Sequence, residues 1–300
     1  MTKVTPPHVN WEFVRQVGYG KFLVRTARRQ LSRRLLHRND RVRLPSGLVM
    51  EIPQSGANAS EIWVTNCDID WGSERLLIRH LEPDKSFFDV GAHIGYYSLL
   101  VAPCVRDVYA FEPDIRNFAA LERNAARAGN VTVVRRAVAD AVGAMPFVIA
   151  ADAATSRLAT RADDGASTTT VEVTTLDQFA ADHPALRVTG VKIDVEGFDG
   201  SVLAGARRVI ARDRPLILTE FNLGEGTNDG SAMFSFVESL NYRVFAFVRA
   251  LGGRRLKPDR LLHLDRATLR DTWYKMLFLA PERLHAQFAA LADPVPPRLL

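Results

Sequence analysis

The sequence predicts an α/β fold in which helices cover a mostly parallel sheet. From residue 86 onward, short apolar segments rich in β-branched and aromatic residues alternate with segments of helical periodicity. This alternation is typical of parallel strands joined by crossover helices. A glycine-containing turn follows the first of these strands, and an acid ends the second. Both features are expected where such a sheet binds a ligand at the carboxyl ends of its strands.

The predicted elements follow one another in a regular order. Strands are predicted at 86–90, 107–113, 131–138, 188–196, 214–221, 242–248 and 274–281. Helices are predicted at 96–103, 117–129, 200–212 and 231–241. Segments 145–150 and 169–176 are predicted as two paired strands on either side of a polar stretch. We assign residues 81–300 to one domain.

The first 80 residues differ from the rest and are predicted to form a basic segment of helices and one hairpin. Helical patterns at 11–17 and 21–38 are separated at residues 18–20, and 41–53 has the pattern of a hairpin. Residues 1–50 contain 11 Lys and Arg and 2 Asp and Glu, whereas the remaining residues contain 28 and 32. The basic character of the chain therefore belongs to this segment.

The turn after the first predicted strand has the composition of a nucleoside-binding loop. Asp89, Gly91, His93 and Gly95 form the pattern D-x-G-x-H-x-G. The pattern lacks the middle glycine of the G-x-G-x-x-G loop that binds the pyrophosphate of a dinucleotide. It fits better the looser glycine loop that holds S-adenosyl-L-methionine, which has no pyrophosphate. We therefore predict S-adenosyl-L-methionine as the cofactor and these four residues as part of its site.

Two further strand ends are predicted to complete the cofactor site. Glu112 ends the second strand, where an acid can accept hydrogen bonds from both ribose hydroxyls. Asp140 follows the third strand and can bind the adenine amino group, or the backbone of Ala137 or Val138 can do so. Three such features in order, each at the carboxyl end of a strand, indicate a ligand that carries a nucleoside.

With these features in place, the chain resembles the FkbM family of class I S-adenosylmethionine-dependent methyltransferases. The resemblance covers about residues 71–280 and is carried, in order, by FFDVGAHIGYYSLL, VYAFEPD, VTTLDQF, VKIDVEGFDGSVLAGA and LILTEFN. It implies a Rossmann-like sheet of seven strands with the last strand antiparallel, and O-methylation of sugar or polyketide-like hydroxyls. His93 stands where the family usually has asparagine. Either side chain can bond the loop backbone, and a histidine beside the methyl donor can instead act as a base.

Methylation of a hydroxyl requires a group that removes its proton, and the segment KIDVEG supplies two candidates. Asp194 and Glu196 are two residues apart, so on a strand both would face one side, and two nearby carboxylates raise one another's pKa. Alternatively, Asp194 binds the donor's amino group or loop backbone, and Glu196 caps the next helix. A magnesium site of Asp194, Glu220 and Asn222 is another alternative, but we assign no metal.

Together these observations predict an O-methyltransferase that acts on a small molecule, a sugar or glycan, or a polyketide-like acceptor. A nicotinamide-dependent oxidoreductase and a nucleic-acid methyltransferase are the alternatives. The acidic balance outside the first 50 residues argues against a nucleic-acid partner. The two cysteines show neither metal spacing nor a disulfide framework, and the N-terminus lacks an apolar core, so a cytoplasmic location is expected.

The basic segment 21–38 leaves three explanations open. Val24, Ala27, Leu31 and Leu35 fall on one helical face, and arginines occupy much of the rest. The helix can pack on the body through its apolar stripe with its arginines in water, it can bind an anionic acceptor, or it can contact an anionic membrane surface. The oligomeric state is not predicted.

Overall fold

The computed structural model has the predicted α/β fold. It describes residues 14, 17–36, 39–54, 57–150, 153–159, 167–220, 230–248, 251–252, 255–256, 260–265 and 274–293. The α-helices in these ranges are α1 (Tyr19–Leu31), α2 (Ala57–Thr65), α3 (Ser73–Arg79), α4 (Tyr96–Val101), α5 (Ile115–Ala125), α6 (Leu176–Asp182), α7 (Asp199–Ala204), α8 (Arg207–Asp213), α9 (Gly230–Ser239) and α10 (His285–Leu291). A π-helical turn spans Ser32–Leu36, and 3₁₀ turns span Ala102–Cys104, Ala153–Thr155 and Glu282–Leu284.

The strands form one large central sheet and three smaller sheets. They are β1 (Asp40–Arg43), β2 (Val49–Ile52), β3 (Ser86–Val90), β4 (Asp107–Phe111), β5 (Val131–Val134), β6 (Ala137–Val138), β7 (Gly143–Val148), β8 (Arg157–Leu158), β9 (Thr168–Thr174), β10 (Val188–Ile193), β11 (Leu216–Thr219), β12 (Tyr242–Val248), β13 (Leu251–Gly252), β14 (Arg255–Leu256), β15 (Arg260–Leu264), β16 (Leu277–Pro281) and β17 (Ala292–Asp293). β13 and β14 form a short antiparallel pair of their own.

The central sheet has the order β17-β15-β12-β16-β11-β10-β3-β4-β5 among the described residues. β5, β4, β3, β10 and β11 are parallel to one another. β16 runs antiparallel to its two neighbours, β11 and β12. The mostly parallel sheet with an antiparallel last strand is therefore confirmed. The expected number of seven strands is too small, because β15 pairs with β12 and β17 pairs with β15 at the same edge.

A four-stranded sheet with the order β6-β9-β7-β8 lies beside the central sheet. The predicted pairing of 145–150 with 169–176 is confirmed by antiparallel β7 and β9, with Met145 opposite Val171. The single strand predicted at 131–138 is wrong. β5 ends at Val134, where Arg136 donates a backbone hydrogen bond to Val134, and the chain then enters the second sheet as β6. This change of sheet carries Val138 to the cavity described below.

The core lies on both faces of the central sheet. Phe87 and Phe88 are fully buried on β3 and belong to different apolar clusters. Phe88 makes edge-to-face contacts with Phe111 and Phe179. Because successive strand residues face opposite sides, these two aromatics anchor β3 to both helical layers. The strand that leads into the glycine turn is therefore held rigidly.

The N-terminal segment contains the predicted hairpin and helix. β1 and β2 pair antiparallel, and Met50 and Ile52 are fully buried in the cluster that also contains Phe87. The predicted helix break falls at Gly18, whose φ is +89°. The proposed packing of the 21–38 helix through its apolar stripe is wrong for the described side chains, since Val24 and Leu31 are 55% and 56% exposed. The side chain of Leu35 lies outside the described residues. The division at residue 80 remains a prediction.

In the part of the chain that the structure describes, no helix has both the length and the apolar character needed to cross a bilayer.

Candidate active site

The glycine turn after β3 is shaped by a close approach of backbone to backbone. Gly91 has a φ of +74°, and a Cβ there would lie 1.9 Å from the carbonyl oxygen of Asp194. Gly95, with a φ of +91°, precedes α4, and a Cβ there would lie 2.8 Å from Leu121. The amides of Gly91 and Ala92 both donate to the carbonyl oxygen of Phe111, at 3.1 and 3.0 Å. The turn therefore holds the ends of three neighbouring strands together.

A cavity of about 300 Å³ opens at this turn. That volume lies at the lower end of the range for small-molecule sites. The predicted site residues that line it are Gly91, His93, Glu112, Val138, Asp194 and Glu196. Three predicted residues, Asp89, Gly95 and Asp140, are not among those that line it. The structure thus brings six of the nine predicted residues to one cavity.

Glu112 is held at the cavity wall by backbone amides. It is 5% exposed. Its Oε2 accepts a hydrogen bond of 2.8 Å from the amide of His93, and its Oε1 accepts one of 2.9 Å from the amide of Asp114. Burial raises the pKa of Glu112 to about 7, against the opposing effect of these hydrogen bonds. The acid at the end of β4 is therefore preorganised in the position predicted for ribose binding.

Asp89 lies behind the turn and supports it. The residue is fully buried, and its Oδ2 accepts a hydrogen bond of 2.5 Å from the hydroxyl of Ser98. Burial raises the pKa of Asp89, although Lys192 and Ser98 oppose the rise. Its contacts tie β3 to α4, so the position of Asp89 in this structure is that of a support for the glycine turn.

Asp140 also makes contacts away from the cavity. Its Oδ1 accepts a hydrogen bond of 2.9 Å from the hydroxyl of Ser201, and its amide donates one of 3.1 Å to that hydroxyl oxygen. These contacts join the end of β6 to α7. Val138, two residues earlier, lines the cavity, so of the alternatives for the adenine position the structure favours the backbone near Val138.

Lys192 is a site residue that no motif indicated. It lines the cavity and is 3% exposed. Its Nζ donates a hydrogen bond of 2.8 Å to the carbonyl oxygen of Gly91 and lies 3.2 Å from Asp194 and 3.7 Å from Asp89. Burial lowers the pKa of Lys192, but the two carboxylates outweigh burial and the net direction is upward. A signal for it existed in the sequence, because a lysine inside an apolar strand requires a buried partner.

The two predicted catalytic acids both line the cavity, but not as a pair on a strand. β10 ends at Ile193, and Glu196 has a φ of +48°. Asp194 and Glu196 therefore lie in the turn after the strand, and the expectation that they share a strand face is wrong. At the start of this turn the Asp194 carbonyl lies close to Gly91, where a Cβ would not fit.

Asp194 is hydrogen-bonded to the side chain of Glu220 at the end of β11, and the two carboxyls shift one another's pKa. Burial raises the pKa of Asp194, but the charge of Lys192 and the hydrogen bond with Glu220 outweigh burial and leave the pKa below its ordinary value. Burial, the charge of Asp194 and the same hydrogen bond raise the pKa of Glu220 to about 9. The hydrogen bond and Lys192 therefore favour the proton on Glu220 and the charge on Asp194, which lies beside the glycine turn.

The magnesium alternative has two of its three ligands in the described part of the chain. Asp194 and Glu220 are adjacent, as their shared hydrogen bond requires. Asn222 lies outside the described residues. Among the residues that are described, no group of three or more His, Cys, Asp or Glu side chains is arranged to hold a metal ion.

One wall of the cavity, called the far wall below, is formed by residues from the N-terminal and C-terminal parts of the chain. Glu61 on α2, Asp70 after it, and Lys275 before β16 all line it. The Nζ of Lys275 lies 2.7 Å from Glu61 and 3.6 Å from Asp70. Asp70 also accepts a hydrogen bond from the hydroxyl of Tyr97. No local motif marks this wall, because only the fold brings its residues together.

Comparison with known proteins identifies the family. Residues 89–244, just over half of the chain, match the methyltransferase FkbM domain. The chain belongs to the FkbM methyltransferase family. The prediction of an S-adenosylmethionine-dependent methyltransferase is therefore confirmed, and the family assignment decides against the nicotinamide-dependent oxidoreductase. The matched segment contains every predicted site residue, whereas Glu61, Asp70 and Lys275 lie outside it.

Several solved structures are similar to the chain at low identity. The FkbM methyltransferase from Methylobacillus flagellatus is 17% identical and covers 73% of this chain and 52% of its own, with a TM-score of 0.43. A putative methyltransferase from Streptococcus mutans in complex with SAH is 10% identical and covers 69% of this chain and 94% of its own, with a TM-score of 0.39. Magnesium protoporphyrin IX methyltransferase from Synechocystis with bound SAM is 9% identical and covers 76% and 86%, with a TM-score of 0.41.

The chain spans about half the length of the Methylobacillus protein. No curated protein sequence matches the chain.

Proposed function

We propose that this FkbM-family enzyme transfers a methyl group from S-adenosylmethionine to a hydroxyl group of a small polar molecule, with a sugar or glycan as the favoured acceptor class. The observation that carries the proposal is the position of Asp194, which lies 3.2 Å from the ammonium group of Lys192 and lines the same cavity as Glu112 and the glycine turn. A fixed carboxylate at that position is suited to accept the proton of a hydroxyl.

The donor site is assigned to the turn and the first two strand ends. The ribose hydroxyls would donate to Glu112, and the adenine would lie near Val138. Gly91 and His93 both line the cavity, and the missing side chain of Gly91 lets the turn lie against the carbonyl of Asp194. The cavity volume and the buried acid fit an adenosine-bearing donor. When bound, S-adenosylmethionine would supply an activated methyl group on a sulfonium centre.

The proton would pass to Asp194. As the new C–O bond forms, the hydroxyl becomes strongly acidic, so a carboxylate with a lowered pKa is sufficient as the acceptor. Lys192 holds the charge of Asp194 in place, and Glu220 keeps its own proton and orients the carboxylate. With the donor bound, Asp194 would take the proton of the acceptor hydroxyl as that oxygen receives the methyl group, and S-adenosylhomocysteine would be left as the second product.

The acceptor class follows from the far wall. Glu61, Asp70 and Lys275 present charged and hydrogen-bonding groups to the cavity. A polyhydroxylated molecule such as a sugar suits that wall better than an extended apolar polyketide does, because the carboxylates of Glu61 and Asp70 can accept further hydrogen bonds from hydroxyl groups in addition to their contacts with Lys275. The acidic side chains also argue against a polyanionic nucleic acid as acceptor.

The cytoplasmic location remains a prediction.

The proposal is tested by calorimetry and by methyl transfer. S-adenosylhomocysteine should bind the purified full chain with an affinity in the micromolar range, and radiolabelled S-adenosylmethionine should methylate members of a panel of free sugars and nucleotide-linked sugars. A matched panel of amines and carboxylates should remain unlabelled. Well-folded protein that binds no S-adenosylhomocysteine, or labelling confined to the amines and carboxylates, overturns it.

A further inference from the structure

Helix α1 faces the body of the protein with its polar side. Arg29 is 3% exposed, and its Nη1 lies 3.0 Å from the carboxylate of Asp40. Arg25, four residues earlier, donates a hydrogen bond of 3.0 Å to the carbonyl oxygen of Val64 on α2. Residues four apart lie on the same side of a helix. The arginine side of α1 is therefore the one that holds it in place.

The opposite side of α1 is apolar and lies in solvent. The side chains of Leu23, Val24 and Leu31 are 66%, 55% and 56% exposed, and Ala27 between them is also exposed. Tyr19 at the start of the helix is 54% exposed. Scattered exposed apolar residues are ordinary, but these five follow helical spacing over one side of a single helix. Water would normally drive such a stripe onto the body of the protein.

Basic residues border this stripe. Lys21 and Arg28 are exposed and seven residues apart, so they run along one edge of it. Arg34, in the turn after α1, is exposed as well. Residues 13–39 contain no Asp or Glu. The exposed Gln30 on the same side is neutral, so every charged residue around the stripe is basic. An apolar centre with only basic charges around it is the pattern of a helix that lies in the plane of an anionic lipid surface.

We propose that this side of the helix, called the α1 face, docks on the surface of a membrane that contains anionic lipid. The α1 face comprises Leu23, Val24, Ala27 and Leu31 as its apolar part and Lys21, Arg28 and Arg34 as its basic border. The apolar side chains enter the boundary between headgroups and acyl chains, and the basic side chains remain at headgroup level. This proposal is independent of the methylated group.

A second copy of the chain is the main competing occupant, and charge and area both disfavour it. Two α1 faces packed together would oppose Lys21 and Arg28 with their own copies, without an acid between them. A helix of 13 residues is about 20 Å long and about 10 Å wide, so one side offers on the order of 200 Å². A stable dimer needs roughly 800 Å² from each partner.

Docking at α1 would also place the cavity near the lipid surface. The indole of Trp63 on α2 donates a hydrogen bond of 2.9 Å to the carbonyl oxygen of Arg25 on α1. The same helix α2 supplies Glu61 and Ile62 to the cavity wall. The helix that carries the α1 face is thus bonded directly to the helix that borders the acceptor side of the cavity.

The experiment is co-sedimentation of the full chain with vesicles. Wild type should bind vesicles of phosphatidylcholine with roughly one part in three phosphatidylserine, and should bind pure phosphatidylcholine vesicles much more weakly. The double variant Lys21→Gln/Arg28→Gln should lose about 25-fold in partitioning, since each charge contributes roughly fivefold. The triple variant Leu23→Ser/Val24→Ser/Leu31→Ser should lose at least about tenfold, since apolar burial is removed.

A matched control replaces exposed apolar residues elsewhere. Val142→Ser/Leu291→Ser alters side chains that are 63% and 47% exposed and far in sequence from α1, and it should bind vesicles as wild type does. Circular dichroism and the thermal midpoint establish that each variant is folded. The proposal is overturned if wild type does not bind anionic vesicles at low salt, or if the triple variant binds them as well as the control does. It is also overturned if sedimentation velocity shows that wild type is a dimer and the triple variant is a monomer. Binding to RNA without binding to vesicles also overturns it.

Discussion

The ammonium group of Lys192 donates a hydrogen bond of 2.8 Å to the carbonyl oxygen of Gly91. One residue is the penultimate member of β10, and the other is the first residue after the neighbouring strand β3. The bond therefore joins the end of one strand to the turn that follows the other. With Asp194 at 3.2 Å and Asp89 at 3.7 Å, one buried cation holds together the donor turn and the proposed proton acceptor.

Replacing Lys192 by Met should destabilise the fold strongly. The change keeps most of the side-chain length but leaves fully buried Asp89 and partly exposed Asp194 without their cation, and breaking a buried ion pair costs about 3–5 kcal/mol. Urea denaturation followed by circular dichroism measures the loss. The control is Lys85→Met, which removes a pair 2.6 Å from Glu82 in which both side chains are partly exposed and should cost at most about 1 kcal/mol. Equal losses in the two variants would contradict the central position given to Lys192.

Gly91→Ala should be far more damaging than Gly129→Ala. Both glycines have a left-handed φ, +74° and +78°, but a Cβ at Gly91 would lie 1.9 Å from the Asp194 carbonyl oxygen, whereas nothing lies within 4 Å of one at Gly129. The Gly129 variant should lose about 1–2 kcal/mol from backbone strain alone. The Gly91 variant should lose several kcal/mol more, because β3 and β10 must move apart. Comparison of the two urea midpoints decides the matter, and similar midpoints would contradict a close approach at the turn.

Sequence reasoning was most successful where chemistry is local in the chain. The glycine turn, the acid after β4 and the acid after β10 all follow buried strands, and parallel strands end at the same edge of a sheet. Their side chains therefore meet at that edge, and this does not depend on where the helices between those strands begin and end. The parallel sheet and the antiparallel β16 followed from the same alternation and from the family resemblance.

Sequence reasoning failed where the partner is distant in the chain. The carboxyl partner of Asp194 is Glu220 and not Glu196 on the same strand face, because β10 ends before Asp194 and the adjacent strand β11 brings Glu220 beside it. The helical pattern predicted for 21–38 is confirmed as an α-helix to Leu31 and a π-helical turn to Leu36, and residues 37 and 38 lie outside the described residues. The pattern could not show which side of the helix meets the body. That choice depends on Asp40, whose carboxylate binds Arg29. Periodicity specifies the faces of a helix and not their partners.

Donor binding should weaken as the pH falls below about 7. Burial raises the pKa of Glu112 to about 7, and ribose hydroxyls donate to its ionised form, so below that pH a proton must leave before the donor binds. The dissociation constant of S-adenosylhomocysteine should rise about tenfold per pH unit below the pKa and level off above it.

The Glu112→Gln variant should bind S-adenosylhomocysteine about tenfold to a hundredfold more weakly than wild type does above the pKa, because a charged hydrogen bond contributes roughly 1.5–3 kcal/mol. The affinity of this variant should not vary with pH in this way. Calorimetry at a series of pH values measures both; a wild-type affinity that is constant across the range would contradict the assignment.

Asp194 and Glu220 should respond differently to loss of their charge. Asp194→Asn removes the proposed proton acceptor and should lower turnover by about 10²–10⁴. Glu220→Gln should change turnover at neutral pH by no more than about fivefold, because Glu220 already carries its proton there and Gln can still donate to Asp194. Above about pH 9, where Glu220 of the wild type ionises beside Asp194, the wild type should lose turnover and Glu220→Gln should retain it. Radiometric pH–rate profiles on the identified acceptor measure these effects.

The magnesium alternative gives the opposite result. Glu220→Gln would then be severely impaired at neutral pH, and exhaustive EDTA treatment would abolish wild-type turnover until magnesium was restored.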